Sequence, residues 1–335
     1  MPGTVNEAHS ELESASGAQC RNYFFPVTER PDSKRVYNMS GQLCTKHPGK
    51  LGQQPLQVLI HGGTYNHSYF DWPYKPERYN YVRDMTDRGF TTLNIDRIGH
   101  GVSDNPNALN LNFDVAAHTV HQLVQYLRRG ALGHPFNTIM LNGYSMGGMT
   151  AQVEAAKYND VDAVAVHAVG HQLVTPRSTA RLGTLLYPAN LDPKFPKPLA
   201  TGYTTTIPGT RGVFHGPPGT YDPTNLDQEE KLKDTLSLTE LADITRKSYD
   251  PNITKNVRVP VLWTPGRYDK IWCGTTDDCT TDPETQNEGS YYRPGVFTKS
   301  VIPDTGHAAL LGYGGRTYLD TVAGWLDQHG IRGKV

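Results

Sequence analysis

The sequence predicts an α/β protein with a mostly parallel sheet, on three observations. From Leu56 onward, short apolar runs are separated by glycine turns and amphipathic stretches, the alternation expected of successive βαβ units. One run leads through Asn142-Gly143-Tyr144-Ser145-Met146-Gly147-Gly148 into a helical pattern, the setting of a sharp strand-to-helix turn. Between Gln172 and Lys255 the rhythm is lost in a stretch rich in Pro, Gly and Thr, which reads as an insertion into the α/β body.

The elements follow in chain order. Met1 to Gln19 is polar and small, with none of the apolar core of a secretory leader, so residues 1–19 are expected to be flexible. Asn22–Val27 and Arg35–Leu43 read as two strands joined by a polar, proline-containing turn. The candidate strands of the body are Leu56–Ile60, Thr91–Ile95, Thr138–Asn142, Asp162–His167, Pro260–Thr264 and Lys299–Ile302. Val115–Leu127 sets Val120, Leu123, Val124 and Leu127 on one helical stripe, and Met149–Tyr158 and Tyr318–His329 are further helices. A core formed by residues 20–171 and 256–335, capped by an insertion at 172–255, accounts for the pattern. Within the insertion, Glu229–Lys247 is the stretch with helical character, and Pro193–Tyr221 is expected to be irregular.

Composition limits the partners. The chain has 335 residues, with 32 Lys+Arg against 33 Asp+Glu and a formal charge of −1, so no broad field favours nucleic acid or an anionic membrane. No apolar run is long enough to span a bilayer, and a small-molecule ligand is the expectation. The sequence leaves the oligomeric state unknown. Four cysteines fall as two local pairs, Cys20 with Cys44 and Cys273 with Cys279; sequence alone also allows two other connectivities or free thiols. Local pairing would place the chain in an oxidising, secreted or periplasmic setting. The sequons at Asn38, Asn66 and Asn252 are what chance supplies in a chain this rich in Ser and Thr.

The chemistry concentrates at four strand ends. A serine on a strained turn projects its hydroxyl above the sheet, and glycines on either side let that turn pack closely; Ser145 is the candidate nucleophile. Val58-Leu59-Ile60-His61-Gly62-Gly63-Thr64 is a buried strand ending in an H-G-G turn, where the amide of Gly63 and that of Met146 could form an oxyanion hole. His61 itself is given no proton-transfer role. A hydroxyl near neutral pH needs a base, and the base a carboxylate. Asp269 follows the strand at Val261, and His307 follows the next strand, in the order Ser, Asp, His.

Leu59 to Gly63, Asp96-Arg97-Ile98-Gly99-His100-Gly101-Val102-Ser103, Gly143 to Gly147, Gly266 to Asp269 and Gly306-His307 together resemble the α/β-hydrolase family. The resemblance spans about Leu56 to Trp325, outside the insertion. It implies a mostly parallel eight-stranded sheet, helices on both faces and a cap after the sixth strand, and it identifies no substrate. By the same resemblance Asp96 and His100 are structural.

Other residues compete for these roles. Asp304 sits on the same short loop as His307 and is poorly placed to reach the far side of the ring, while Asp277, Asp278 and Asp282 read as a solvated acidic loop. His167 and His171 stand four apart without an accompanying carboxylate or an H-E-x-x-H pattern. No metal is expected. The absence of a phosphate-binding glycine motif likewise leaves no cofactor expected. Thr64, Tyr65, Tyr69, Tyr144 and His171 are the candidate pocket residues, with Phe70, Trp72 and Tyr74 in the same aromatic loop, whose burial alone would also explain the aromatics.

The expected activity is that of a serine hydrolase of carboxylesterase or lactonase type, acting on a small hydrophobic or aromatic ester through an acyl-enzyme on Ser145. The same residues leave open an amidase or peptidase, a lyase, cofactor-free haloperoxidase or cyclase using the same pocket, and a non-catalytic binding protein.

Overall fold

The chain order of the strands explains where a site can form. The computed structural model describes residues 1–8, 12–171, 181–195, 199–248, 250–273 and 276–335. Its main sheet contains β1 (Asn6–Ala8), β2 (Gln19–Thr28), β3 (Val36–Thr45), β4 (Leu56–Ile60), β5 (Thr91–Ile95), β6 (Ile139–Tyr144) and β7 (Ala163–His167). A second sheet, β8 (Leu186–Pro188), β9 (Tyr203–Thr206) and β10 (Leu236–Ser237), lies within the insertion, and β11 (Val261–Thr264) and β12 (Phe297–Lys299) complete the main one. The main sheet runs β1-β2-β3-β5-β4-β6-β7-β11-β12.

β1, β2 and β3 pair antiparallel, as does β3 with β5, and the six strands from β5 to β12 are parallel. Among the described residues the sheet therefore has nine strands where eight were expected. The additional one is β1, from the segment expected to be flexible: Asn6 to Ala8 bond to Phe24 to Asn22 along the open edge of β2. Parallel strands flanked on both faces must be apolar throughout, and every residue of β4, β5, β6, β7 and β11 is buried.

The connection leaving β4 goes to β5 on one side, whereas β5 returns past β4 to β6 on the other. Right-handed crossovers in opposite directions put their helices on opposite faces. The helix Tyr81–Asp87 accordingly packs with the C-terminal helix Gly315–Gln328, and Phe113–Arg128 packs with Met146–Tyr158. Asn112 caps the helix Phe113–Arg128 by accepting the Val115 amide, a side-chain bond that satisfies one of the four open N–H groups of the first turn. Between β4 and β6 the direction of winding reverses, and loops leaving adjacent strands at such a point diverge to leave a crevice. Ile60 and Gly143 are register partners there, so the His61-Gly62-Gly63 turn and Ser145 emerge side by side.

Cys20 pairs opposite Cys44 across β2 and β3, and both cysteine pairs are disulfide-bonded. The insertion contains more order than its composition suggests. β9 lies in the stretch expected to be irregular, and the expected helix Glu229–Lys247 is divided into Thr224–Leu232 and Leu238–Ser248 by β10. Among the described residues, no helix is long and apolar enough to cross a membrane.

Candidate active site

Ser145 is held at φ 52° and ψ −116° between the end of β6 and the helix Met146–Tyr158. A side chain in this region costs of order 1–3 kcal/mol of backbone strain, and the surroundings hold the turn shut. The Ser145 amide donates to His167 O at 2.7 Å. A Cβ on Gly147 would lie 2.0 Å from Ile60 O, and one on Gly143 would lie 2.3 Å from Gly147 O, so only glycine admits this close approach.

The side chains read from separate strand ends meet at this turn. His307 Nε2 lies 3.0 Å from Ser145 Oγ, and its Nδ1 lies 2.9 and 3.1 Å from the two oxygens of Asp269. The Asp269 carboxylate also accepts the amides of Ile271 at 3.0 Å and Trp272 at 3.1 Å. A carboxylate accepts only, so Nδ1 of His307 carries the proton and Nε2 faces the serine hydroxyl as an acceptor. Asp269 and His307 are both buried.

The other acidic residues near this loop are engaged elsewhere. Asp278 pairs with Arg267 at 2.9 Å, Asp277 with Arg181 at 2.9 Å, and Asp282 accepts the Thr285 amide at 2.9 Å.

Gly63, Thr64, Ser145, Met146 and His307 form the polar floor of a cavity of about 40 Å³. The amides of Gly63 and Met146 make no hydrogen bond to another loop or turn among the described residues. The rest of the lining is apolar: Leu182, Leu186, Phe214, Leu236, Leu241 and Ile244 come from the insertion, and Ile271 and Trp272 from the loop after Asp269. These residues were not among the sequence candidates, because nothing in an irregular insertion signals which side chains will turn towards a distant serine.

Of the candidate pocket residues, Thr64 lines the cavity, whereas Tyr65, Tyr69, Tyr144 and His171 are not part of its lining. Tyr69 stacks on Tyr144 with ring centroids 4.1 Å apart, directly behind the Ser145 turn. Tyr65 crosses both rings edge-on and donates its hydroxyl to Glu229 at 2.8 Å. Trp72 donates to Asn225 at 3.0 Å. The aromatic loop is thus the bed on which the insertion rests, since a buried Tyr or Trp usually needs a polar partner and Tyr65 and Trp72 find theirs there. His171 is drawn aside by Glu288, which accepts its amide at 2.9 Å and meets Nδ1 at 2.8 Å, and by Thr254 at Nε2.

Two further histidines are fixed as neutral rings. His61 meets Gly62 O through Nδ1 and accepts the Arg97 amide at Nε2; burial, followed by the Arg97 charge, holds its pKa well below the usual range. His167 meets Thr264 O and accepts the Ala309 amide, and burial lowers it to about 4. Asp96 holds the His67 ring and the Val102 amide, tying two loops beside the cavity.

The insertion is tied to the Gly63-Thr64 turn by backbone hydrogen bonds and a buried charge pair. Thr64 exchanges backbone bonds with Asp234 and Thr235, and the Arg211 guanidinium donates to Thr64 Oγ1 at 2.9 Å and to Glu229 at 3.0 Å. Glu229 also pairs with His215. Phe214 O accepts the Ala308 amide at 2.8 Å, so one segment of the insertion touches both the Gly63-Thr64 turn and the His307 loop.

The chain belongs to the alpha/beta hydrolase family, whose model matches residues 57–317. Naproxen esterase (carboxylesterase NP) from Bacillus subtilis is similar in fold, with a TM-score of 0.64 at 14% identity over 93% of each chain. A thermophilic esterase from Thermogutta terrifontis has a TM-score of 0.60 at 14% identity, covering 91% of this chain and 98% of that one. An esterase from Exiguobacterium antarcticum has a TM-score of 0.58 at 15% identity, covering 87% and 96%. No curated protein matches the chain in sequence. The family and these folds together give the protein the α/β-hydrolase fold.

Proposed function

We propose that the protein is a serine hydrolase that cleaves a carboxylic ester or lactone of a small, hydrophobic or aromatic substrate. The observation that carries this reading is the continuous hydrogen-bonded path from Asp269 through His307 to Ser145 Oγ, ending on the floor of an apolar cavity. In this scheme Ser145 Oγ attacks the substrate carbonyl as its proton passes to His307 Nε2. The amides of Gly63 and Met146 receive the developing oxyanion, each donor contributing about 3–4 kcal/mol to the transition state. His307 then protonates the leaving alcohol, and water repeats the path on the acyl-enzyme.

The apolar wall supplied by the cap supports an uncharged acyl group, since placing a charge against such a surface without a partner is costly. The esterases similar in fold support ester chemistry. The two disulfides support work in an oxidising, extracytoplasmic compartment.

A phosphonate ester should inactivate the protein stoichiometrically, with the adduct on Ser145 in the digested peptide. A panel of p-nitrophenyl esters of rising chain length, assayed beside several lactones, should show turnover preceded by an acyl-enzyme burst. Full turnover by Ser145→Ala would end this reading, and base chemistry without a burst would favour a lyase.

A further inference from the structure

Remote from the serine, His121, Glu154 and Asp160 each direct one ligand atom into a common space, all within 4.8 Å of one another. They come from the helix Phe113–Arg128, the helix Met146–Tyr158 and the turn that follows the latter. Glu154 is fully buried; no N–H or O–H group donates to either of its carboxylate oxygens, and its carboxyl group faces that of Asp160. Asp160 Oδ1 likewise accepts from no such group, while Asp160 Oδ2 meets His121 Nδ1 and Gln125 Nε2, each at 2.7 Å.

A buried carboxylate facing a second carboxylate carries a cost of several kcal/mol unless the pair gains a proton or a cation. We infer that these three side chains form a site for a divalent transition-metal ion of the zinc class. One imidazole nitrogen and two carboxylate oxygens suit such an ion, whereas calcium and magnesium favour an all-oxygen shell. Bonds of about 2.0–2.2 Å to atoms this close require side-chain movements of less than about an ångström.

The surroundings complete the site. Gln125 orients Asp160 from outside the ligand set, a support that typically changes metal affinity by about 10–100-fold. Arg128 fixes the backbone of the same turn by donating to Asp160 O at 2.9 Å. The His121 ring is held by stacking on Tyr158, centroids 3.8 Å apart. A groove lined by His118, His121, Gln125, Tyr158 and Asp160 opens to solvent, giving an ion its access and leaving room for a water as fourth ligand. By cross-linking two helices and a turn, the ion would brace the helix that begins at Ser145.

The test uses the full chain after treatment with EDTA, titrated with Zn²⁺ by calorimetry and followed by thermal unfolding, with Co²⁺ as a spectroscopic probe. The site predicts one equivalent of tightly bound Zn²⁺, a rise in Tm and the visible bands of four-coordinate Co²⁺. Ser145→Ala should bind equally well, which separates this inference from the hydrolase reading. Glu154→Gln and His121→Asn, both near-isosteric, should each weaken binding about 100-fold or more while remaining folded. No saturable binding below about 100 µM Zn²⁺, or binding unchanged in both variants, overturns the proposal. So does a Glu154→Gln protein that gains stability while Zn²⁺ has no effect on the parent, because the carboxylates would then be sharing a proton.

Discussion

His167 Nε2 accepts the backbone amide of Ala309 at 3.2 Å, two residues beyond His307. The same residue receives the Ser145 amide on its carbonyl at 2.7 Å and meets Thr264 O through Nδ1 at 2.6 Å. One residue, through its carbonyl and its neutral ring, therefore links the Ser145 turn, the strand leading to Asp269 and the loop carrying His307. His167→Asn would keep the bond to Thr264 and strand the Ala309 N–H. An unsatisfied buried donor costs about 1–3 kcal/mol, so Tm should fall and kcat should drop with little change in KM.

The same residue sets a pH dependence of stability. Its pKa is lowered by burial from 6.5 to about 4, so the unfolded chain binds its proton first as pH falls. The contribution is fully present above about pH 6.5 and is lost as pH falls towards 4, amounting to roughly 3 kcal/mol by linkage. Denaturant unfolding from pH 4 to 7 should show this slope, and His167→Asn should flatten it.

Asp269→Asn should leave the fold unchanged and reduce kcat by about 10⁴-fold. The loss arises because an amide that donates to Nδ1 reverses the tautomer of the histidine, as in the serine protease triad. Circular dichroism and steady-state kinetics on the same sample distinguish this from unfolding. A loss below about tenfold would place the orienting carboxylate elsewhere.

Two glycine substitutions should separate fold from function. A Cβ on Gly147 meets the backbone oxygens of Ile60 and His61 at 2.0 and 2.6 Å, whereas one on Gly63 meets the tip of Leu236 at 2.9 Å and Met146 Cγ at 3.2 Å. Backbone cannot move aside as a leucine tip can. Gly147→Ala should therefore fail to yield folded protein, while Gly63→Ala should fold and show altered kcat/KM with esters, measured on purified protein of matched Tm.

Arg211 and Glu229 are both buried, and Arg211 also holds Thr64. Removing one member of a buried pair leaves an uncompensated charge, at a cost of about 3–5 kcal/mol. Arg211→Met should be destabilised by that amount and lose turnover as the Gly63-Thr64 turn loosens. The double variant Arg211→Met, Glu229→Gln should recover much of the stability but not the turnover. Urea unfolding of these two variants and of Glu229→Gln alone gives the coupling directly.

The sequence alone determined the α/β class, the positions of most central strands, and Ser145, Asp269 and His307 as candidates, because these are written in local patterns. A turn that must approach a strand needs glycine at fixed offsets, and a buried parallel strand needs an unbroken apolar run. Both cysteine pairs were also legible, since short separations make local bridges the simple geometry.

Tertiary structure decided what local pattern cannot express. It drew Asn6–Ala8 onto the edge of β2, where exposed backbone groups accept any compatible strand. It turned Tyr65 and Trp72 towards Glu229 and Asn225 in the cap, because a buried hydroxyl or indole goes where its hydrogen bond is. It also gathered Leu182, Phe214, Leu241 and Ile244 around Ser145, and set His121 against Asp160 across 39 positions of chain. Such neighbours are chosen by how the insertion and the helices pack against the body, and packing is a property of the whole chain rather than of any window within it.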